Sequence, residues 1–167
     1  LTEALVKNQV AMQALTQSAD AMDILTANVP FLAAVLKNRT HLALFDRALT
    51  KAQQKTIATV VGTAVGKQFT KSRQTITLPS NGTQSYYTNT AAVYVPESAY
   101  VYDPYALYSG AATDRLVFNA SGGGGWRDYT FTEAENAGIA VGGVTVKRDK
   151  QSSASGERIT FAVYTAR

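Results

Sequence analysis

Residues 1–30 read LTEALVKNQVAMQALTQSADAMDILTANVP, and the spacing of their apolar positions decides how the first half of the chain is read. Leu1, Leu5, Met12, Leu15, Ala19, Met22 and Val29 fall on a grid of alternating steps of four and three, interrupted by Asn8 and Thr26. A stripe that recurs about every 3.5 residues is the seam of a coiled coil. The spacing therefore predicts one helix from about Thr2 that ends at Asn28-Val29, with Pro30 opening the next, since proline suits a helix's first turn. Leu5, Met12, Leu15 and Met22 are the expected contacts between copies of that helix.

Phe31, Leu32, Val35, Leu36, Leu42, Ala43 and Phe45 give the second helix a broad apolar face. Thr50 followed by Gln53 has the form of a capping box, predicting a third helix through about Lys71. Within it Ala58, Gly62 and Gly66 form a row of small residues that lets a second backbone approach, either in the same chain or in another copy.

The chemistry changes near residue 73. Residues 1–73 carry nine Lys/Arg against four Asp/Glu, and residues 74–167 carry seven against eight. All nine Tyr and the single Trp lie in the second part. There, short alternating runs sit between turns: Thr75–Leu78, Ala92–Val95, Ala99–Tyr102, Leu116–Asn119, Trp126–Thr132, Val144–Arg148 and Ile159–Tyr164, the last two read as a hairpin. The expected fold class is α+β, with a helical oligomerisation or docking region over 1–73 (coiled-coil or bundle helices). An antiparallel β-sandwich or jelly-roll-like domain over 74–167 follows it.

Composition removes several function classes. The chain has 167 residues, 46% of them hydrophobic, so it can build a core. With no Cys there is no disulfide, thiolate nucleophile or Cys-ligated metal, and one His cannot form a multi-histidine site within one chain. No apolar run approaches the length of a membrane span. Gly62–Gln68 departs from a phosphate-binding loop, with three residues between its glycines and Gln68 where a hydroxyl is needed. Gly122–Gly125 does not complete a dinucleotide fingerprint, because Arg127 stands in the final glycine position. His41 lies inside a helical run, and Asp128, Glu133 and Glu135 offer a hydrolase only carboxylates without an orienting partner.

The basic balance does not form one stripe. On a continuous third helix Lys51 and Lys55 would oppose Lys67 and Lys71, so a nucleic-acid partner is not favoured. Tyr86, Tyr87, Tyr94, Tyr100, Tyr102, Tyr105 and Tyr108 are the most unusual cluster, and Tyr suits interfaces and sugar-stacking surfaces. Tyr100, Tyr102 and Trp126 are the expected surface or ligand-binding residues, with no cofactor, metal or catalytic residue assigned.

A coiled-coil stalk followed by a β head resembles the architecture of viral and bacteriophage fibres and capsid decorations, with no residue motif behind the likeness. The expectation is a non-enzymatic assembly protein of a virion or the extracellular space. It would be homo-oligomeric, by expectation a trimer, and docked to other structural proteins. A glycan- or host-surface-binding β module is the alternative.

Overall fold

The computed structural model describes residues 1–77, 90–93, 98–106, 116–122, 125–130, 137–148 and 158–167; side chains are described for 1–77, 98–102, 138–145 and 158–167. These residues form an α+β fold, helices first and antiparallel strands after.

The continuous helix expected over residues 2–29 is instead broken every ten residues. Helices α1 (Thr2–Lys7), α2 (Gln9–Thr16), α3 (Ala19–Thr26), α4 (Val29–Leu36) and α5 (Arg39–Ala48) are each separated by one or two residues. The break falls at Asn8, Ser18, Asn28 and Asn38, whose backbones are extended. Each of these residues closes one helix and opens the next. Its N–H donates to a carbonyl three residues back, as Asn28 N does to Leu25 O at 3.1 Å. Its own carbonyl accepts from four residues on, as Asn28 O does from Leu32 N at 2.9 Å. Its side-chain oxygen then takes the exposed N–H three residues on, from Ala11 at 3.0 Å, Ala21 at 3.3 Å, Phe31 at 2.9 Å and His41 at 3.1 Å. Asn and Ser compete well for such groups at a helix start and poorly inside one, so a helix of barely two turns stops there.

The chain bends at these joints, by 92° between α3 and α4. Contacts then run from each helix to the third one on: α1 lies against α4, α2 against α5, and α3 against α6 (Lys51–Thr63). The helical region is thus a coil of three helices per turn and two turns. Its interior is set by the ten-residue period. Met12, Met22, Leu32 and Leu42 are all buried, as are Leu25, Val35 and Phe45, with Leu15 partly so. Thr50 and Gln53 form the expected capping box at the start of α6.

That helix ends at Thr63 rather than near Lys71. Gly66, at φ 83°, turns the chain in a conformation that disfavours other residues, and Gly66 N donates to Phe69 O at 2.9 Å. The basic residues counted on one helical wheel therefore belong to different elements, with Lys67 in the turn and Lys71 in a strand.

Eight strands follow among the described residues: β1 (Phe69–Thr77), β2 (Thr90–Val93), β3 (Ala99–Ala106), β4 (Leu116–Gly122), β5 (Gly125–Thr130), β6 (Ala137–Ala140), β7 (Val144–Arg148) and β8 (Arg158–Ala166). They form two four-stranded sheets, ordered β1-β8-β3-β6 and β2-β7-β4-β5, with every pair antiparallel. The expected hairpin of the last two strands does not form. β8 pairs along its full length with β1, from Phe69↔Ala166 to Thr77↔Arg158, while β7 joins the other sheet. The β3–β8 register shifts between Tyr102 and Tyr105, where Pro104 has no N–H to give the ladder.

The second turn of the coil lies on the first sheet, with α4 against β8 and α6 against β6. Phe69, Tyr100, Tyr102, Ile139, Ala162 and Tyr164 join the helical core from that face. Strand alternation sends Val101, Phe161 and Val163 to the opposite face, where they too are buried.

Candidate functional site

The seam residues face inward. Met12 and Met22 are 0% and 2% exposed inside this chain's own core, and Leu5 and Leu15 pack against it, half-buried. Ten-residue bending turns each short helix so that its apolar stripe meets the next turn of the same coil, and Met12 and Met22 are taken up in that intrachain contact. The small-residue row is also interrupted. Ala58 packs on the core, Gly62 is exposed with nothing near the position of a Cβ, and Gly66 lies beyond the helix in the turn.

Tyr100 and Tyr102 are likewise interior, at 0% and 6% exposure, and are not on a ligand-accessible surface. Alternation places both on the helix-facing side of β3, where the coil covers them. The rings form a chain: Phe69 and Tyr100 meet edge-on at 6.1 Å, Tyr100 stacks beside Tyr102 at 6.5 Å, and Tyr102 leans on Tyr164 at 6.0 Å. Lys71 Nζ caps the chain 5.6 Å from the Tyr164 ring centre. The buried Tyr100 hydroxyl donates to the Leu32 carbonyl of α4 at 2.8 Å, fixing the coil to the sheet. Burial pushes the Tyr100 phenol well above its usual range, and the Asp46 carboxylate pushes it in the same direction. Trp126 lies in β5 opposite Ser121, with its side chain outside the described residues. The carboxyl groups of Asp128, Glu133 and Glu135 lie outside them as well.

His41 serves the coil. Its Nδ1–H donates to the Val6 carbonyl at the end of α1, and Asn38 Nδ2 donates to the same oxygen at 3.3 Å. Two side chains from the start of α5 thereby hold the first turn to the second. A parallel link joins α6 to α3, where Gln53 Nε2 donates to Asp23 Oδ1 at 2.8 Å.

A groove of about 230 Å³ opens between α1 and α4, lined by Glu3, Val6, Lys7, Ala34, Lys37 and Asn38. Lys37 Nζ reaches the Arg167 carbonyl at 3.0 Å, and the Arg167 guanidinium donates to the Gly66 carbonyl at 2.5 Å. One carboxylate and two ammonium groups give the groove mixed charge, without a nucleophile held against a base. Among the described residues no three His, Asp or Glu side chains converge on a metal-sized position.

The feature that sequence reasoning missed is the outward face of the first turn. Val10 and Ile24 are 77% and 68% exposed, on the opposite side of α2 and α3 from Met12 and Met22. Asn8, Ser18, Asn28 and Asn38, at steps of ten, are the signal that would have found it. No single helix is long and apolar enough to cross a membrane among the described residues. No family model matches the sequence, and no curated protein matches it either.

Proposed function

We propose that this chain is a non-enzymatic structural protein that assembles with copies of itself and with other structural proteins, as a component of a virion or an extracellular particle. The observation that carries the reading is the pairing of the strands. β1 pairs with β8, β2 with β7, β3 with β6 and β4 with β5, so each strand meets the one whose number completes nine. That is the ladder of one long eight-stranded hairpin. The additional pairs β3·β8 and β4·β7 are those made when such a hairpin is rolled into two sheets. A jelly roll has this strand order, and capsid proteins are among the proteins built on it. Burial of Val101, Phe161 and Val163 on the face away from the helices supports a second layer there. So do the approaches of β4 to β6 and of β1 to β2.

Jelly rolls also serve lectins and enzymes, so the fold does not choose the function. The placement of the aromatic residues favours assembly over ligand capture, because Tyr100, Tyr102 and Tyr164 are spent on docking the coil. In this reading the helical coil is a rigid module fixed to one sheet. The test is the solution mass of the purified chain by light scattering at increasing concentration, with electron microscopy of the most concentrated sample. A discrete oligomer, or closed or fibrous particles, is expected. A monomer at every concentration with no particles would refute self-assembly.

A further inference from the structure

Residues 1–77 carry nine Lys/Arg against four Asp/Glu, and one of the four, Asp46, is buried at 1% exposure. Asp20 and Asp23 lie on α3, where Asp23 accepts from Gln53. Four cations are linked to one another elsewhere. Lys7, the last residue of α1, and Lys37, just past the end of α4, line the same groove, with Glu3 as its carboxylate. Lys37 Nζ donates to the Arg167 carbonyl at 3.0 Å, and the Arg167 N–H donates to the Gln68 carbonyl at 2.9 Å. The Arg167 guanidinium donates to the Gly66 carbonyl, beside Lys67. All four basic side chains are exposed, and among the described residues none of them is paired with a carboxylate.

We infer that this surface, running from Lys7 across Lys37 and Arg167 to Lys67, is a contact for the phosphate backbone of a nucleic acid. A third helix continuous to Lys71 would set Lys67 and Lys71 opposite Lys51 and Lys55, and would argue against such a partner. That helix ends at Thr63, and the turn at Gly66 carries Lys67 to the end of β8 and so toward Lys37. Cations from four separate segments thereby form one run. They do not converge on a single point, so they do not make a pocket for one small anion. A chain of phosphates offers charge at short regular steps and meets such a run without fixed side-chain geometry. The contact goes beyond the assembly reading and does not depend on it.

Fluorescence anisotropy of the full chain with single-stranded and duplex DNA oligonucleotides, over a range of salt, tests the contact. With all four cations engaged, the logarithm of the duplex affinity should fall against log salt with a slope of about −3.6. Lys37→Gln with Lys67→Gln should reduce that slope by about 1.8. Arg47→Gln with Lys55→Gln, exposed on the end of α5 and the first half of α6, should leave it unchanged. Lys7 and Lys37 also stand at helix C-terminal ends, where a cation offsets the dipole. A lysine kept only for that purpose would lower Tm on substitution and leave the slope as it was. Lys7→Gln with Lys67→Gln spares the Lys37 bond and gives the same reading if loss of Lys37 prevents folding. Three results would each overturn the inference: no salt-dependent binding to either DNA, equal slopes in the two sets of variants, or tighter binding to polyglutamate or phosphatidylserine-containing vesicles than to DNA at the same salt. Light scattering bears on self-assembly alone, so the two readings fail separately.

Discussion

Replacing Tyr100 by Phe isolates one buried hydroxyl and gives two separable readouts. At neutral pH the substitution removes only the 2.8 Å bond to the Leu32 carbonyl, leaving the ring and its aromatic neighbours in place. A hydrogen bond of this kind contributes about 0.5–1.5 kcal/mol net. For a chain of this size that is a fall in Tm of roughly 2–4 °C per kcal/mol. The alkaline limb is more specific. Burial first, and the Asp46 carboxylate second, disfavour the phenolate, so the native state keeps its proton after the unfolded chain has released it near pH ~10. Above that pH the native state binds more protons than the unfolded one, so stability falls as pH rises. The contribution is complete below pH ~10 and is lost at about 1.4 kcal/mol per pH unit as pH climbs toward the raised native value. Denaturant unfolding of wild type and Tyr100→Phe from neutral to strongly alkaline pH gives the difference, in which the other titrating groups cancel. The Phe variant should be less stable at pH 7 and lose stability less steeply above pH ~10. Parallel pH profiles would refute an interior Tyr100 and return that ring to the surface.

Three further outcomes follow from the coil and its end. Asn28→Ala should cost about 1 kcal/mol by removing a cap, whereas Asn38→Ala should cost more, because its amide also bonds Val6 across the turns. Equal losses in urea unfolding would mean that the Val6 bond contributes nothing. Gly62→Ala should stabilise by roughly 0.5–1 kcal/mol, since an added Cβ meets open space within α6. Gly66→Ala should destabilise by roughly 1 kcal/mol despite equal room, because φ 83° strains any side chain; thermal unfolding that moves both the same way would contradict this assignment of the turn.

Much of the sheet region was legible from alternation and turn residues. Runs read as strands around Ala99, Leu116, Val144 and Ile159 coincide with β3, β4, β7 and β8. β6 was not legible, because Ala137-Gly138-Ile139-Ala140 has one large side chain, and its pairing with β3 is what makes it a strand. Which strands pair was not legible either. The paired residues of β1 and β8, from Phe69↔Ala166 to Thr77↔Arg158, lie far apart in sequence and are matched by register, and no local pattern carries that information. The tyrosines illustrate the same limit. Period two puts Tyr100 and Tyr102 on one face, but only the helices packed there decide that the face is interior.

The helical half shows how a correct local pattern can support the wrong architecture. Leu5, Met12, Leu15 and Met22 are separated by seven, three and seven residues, which satisfies a heptad grid and a ten-residue repeat equally. The two periods part at the next position. A heptad places Thr26 and Val29 next on the seam, while the ten-residue period places Leu25 and Leu32, which are 8% and 0% exposed. Polar residues decide the matter physically. In a coiled coil Asn8 is a tolerated polar layer, whereas Asn8, Ser18, Asn28 and Asn38 at equal steps are four chances for a side chain to take the N–H that begins a new helix. With each helix kept to barely two turns, little is lost by ending it and much is gained by turning its apolar stripe onto the next layer. A seam that would recruit a second chain in a long helix is consumed within one chain when the helix is cut every ten residues.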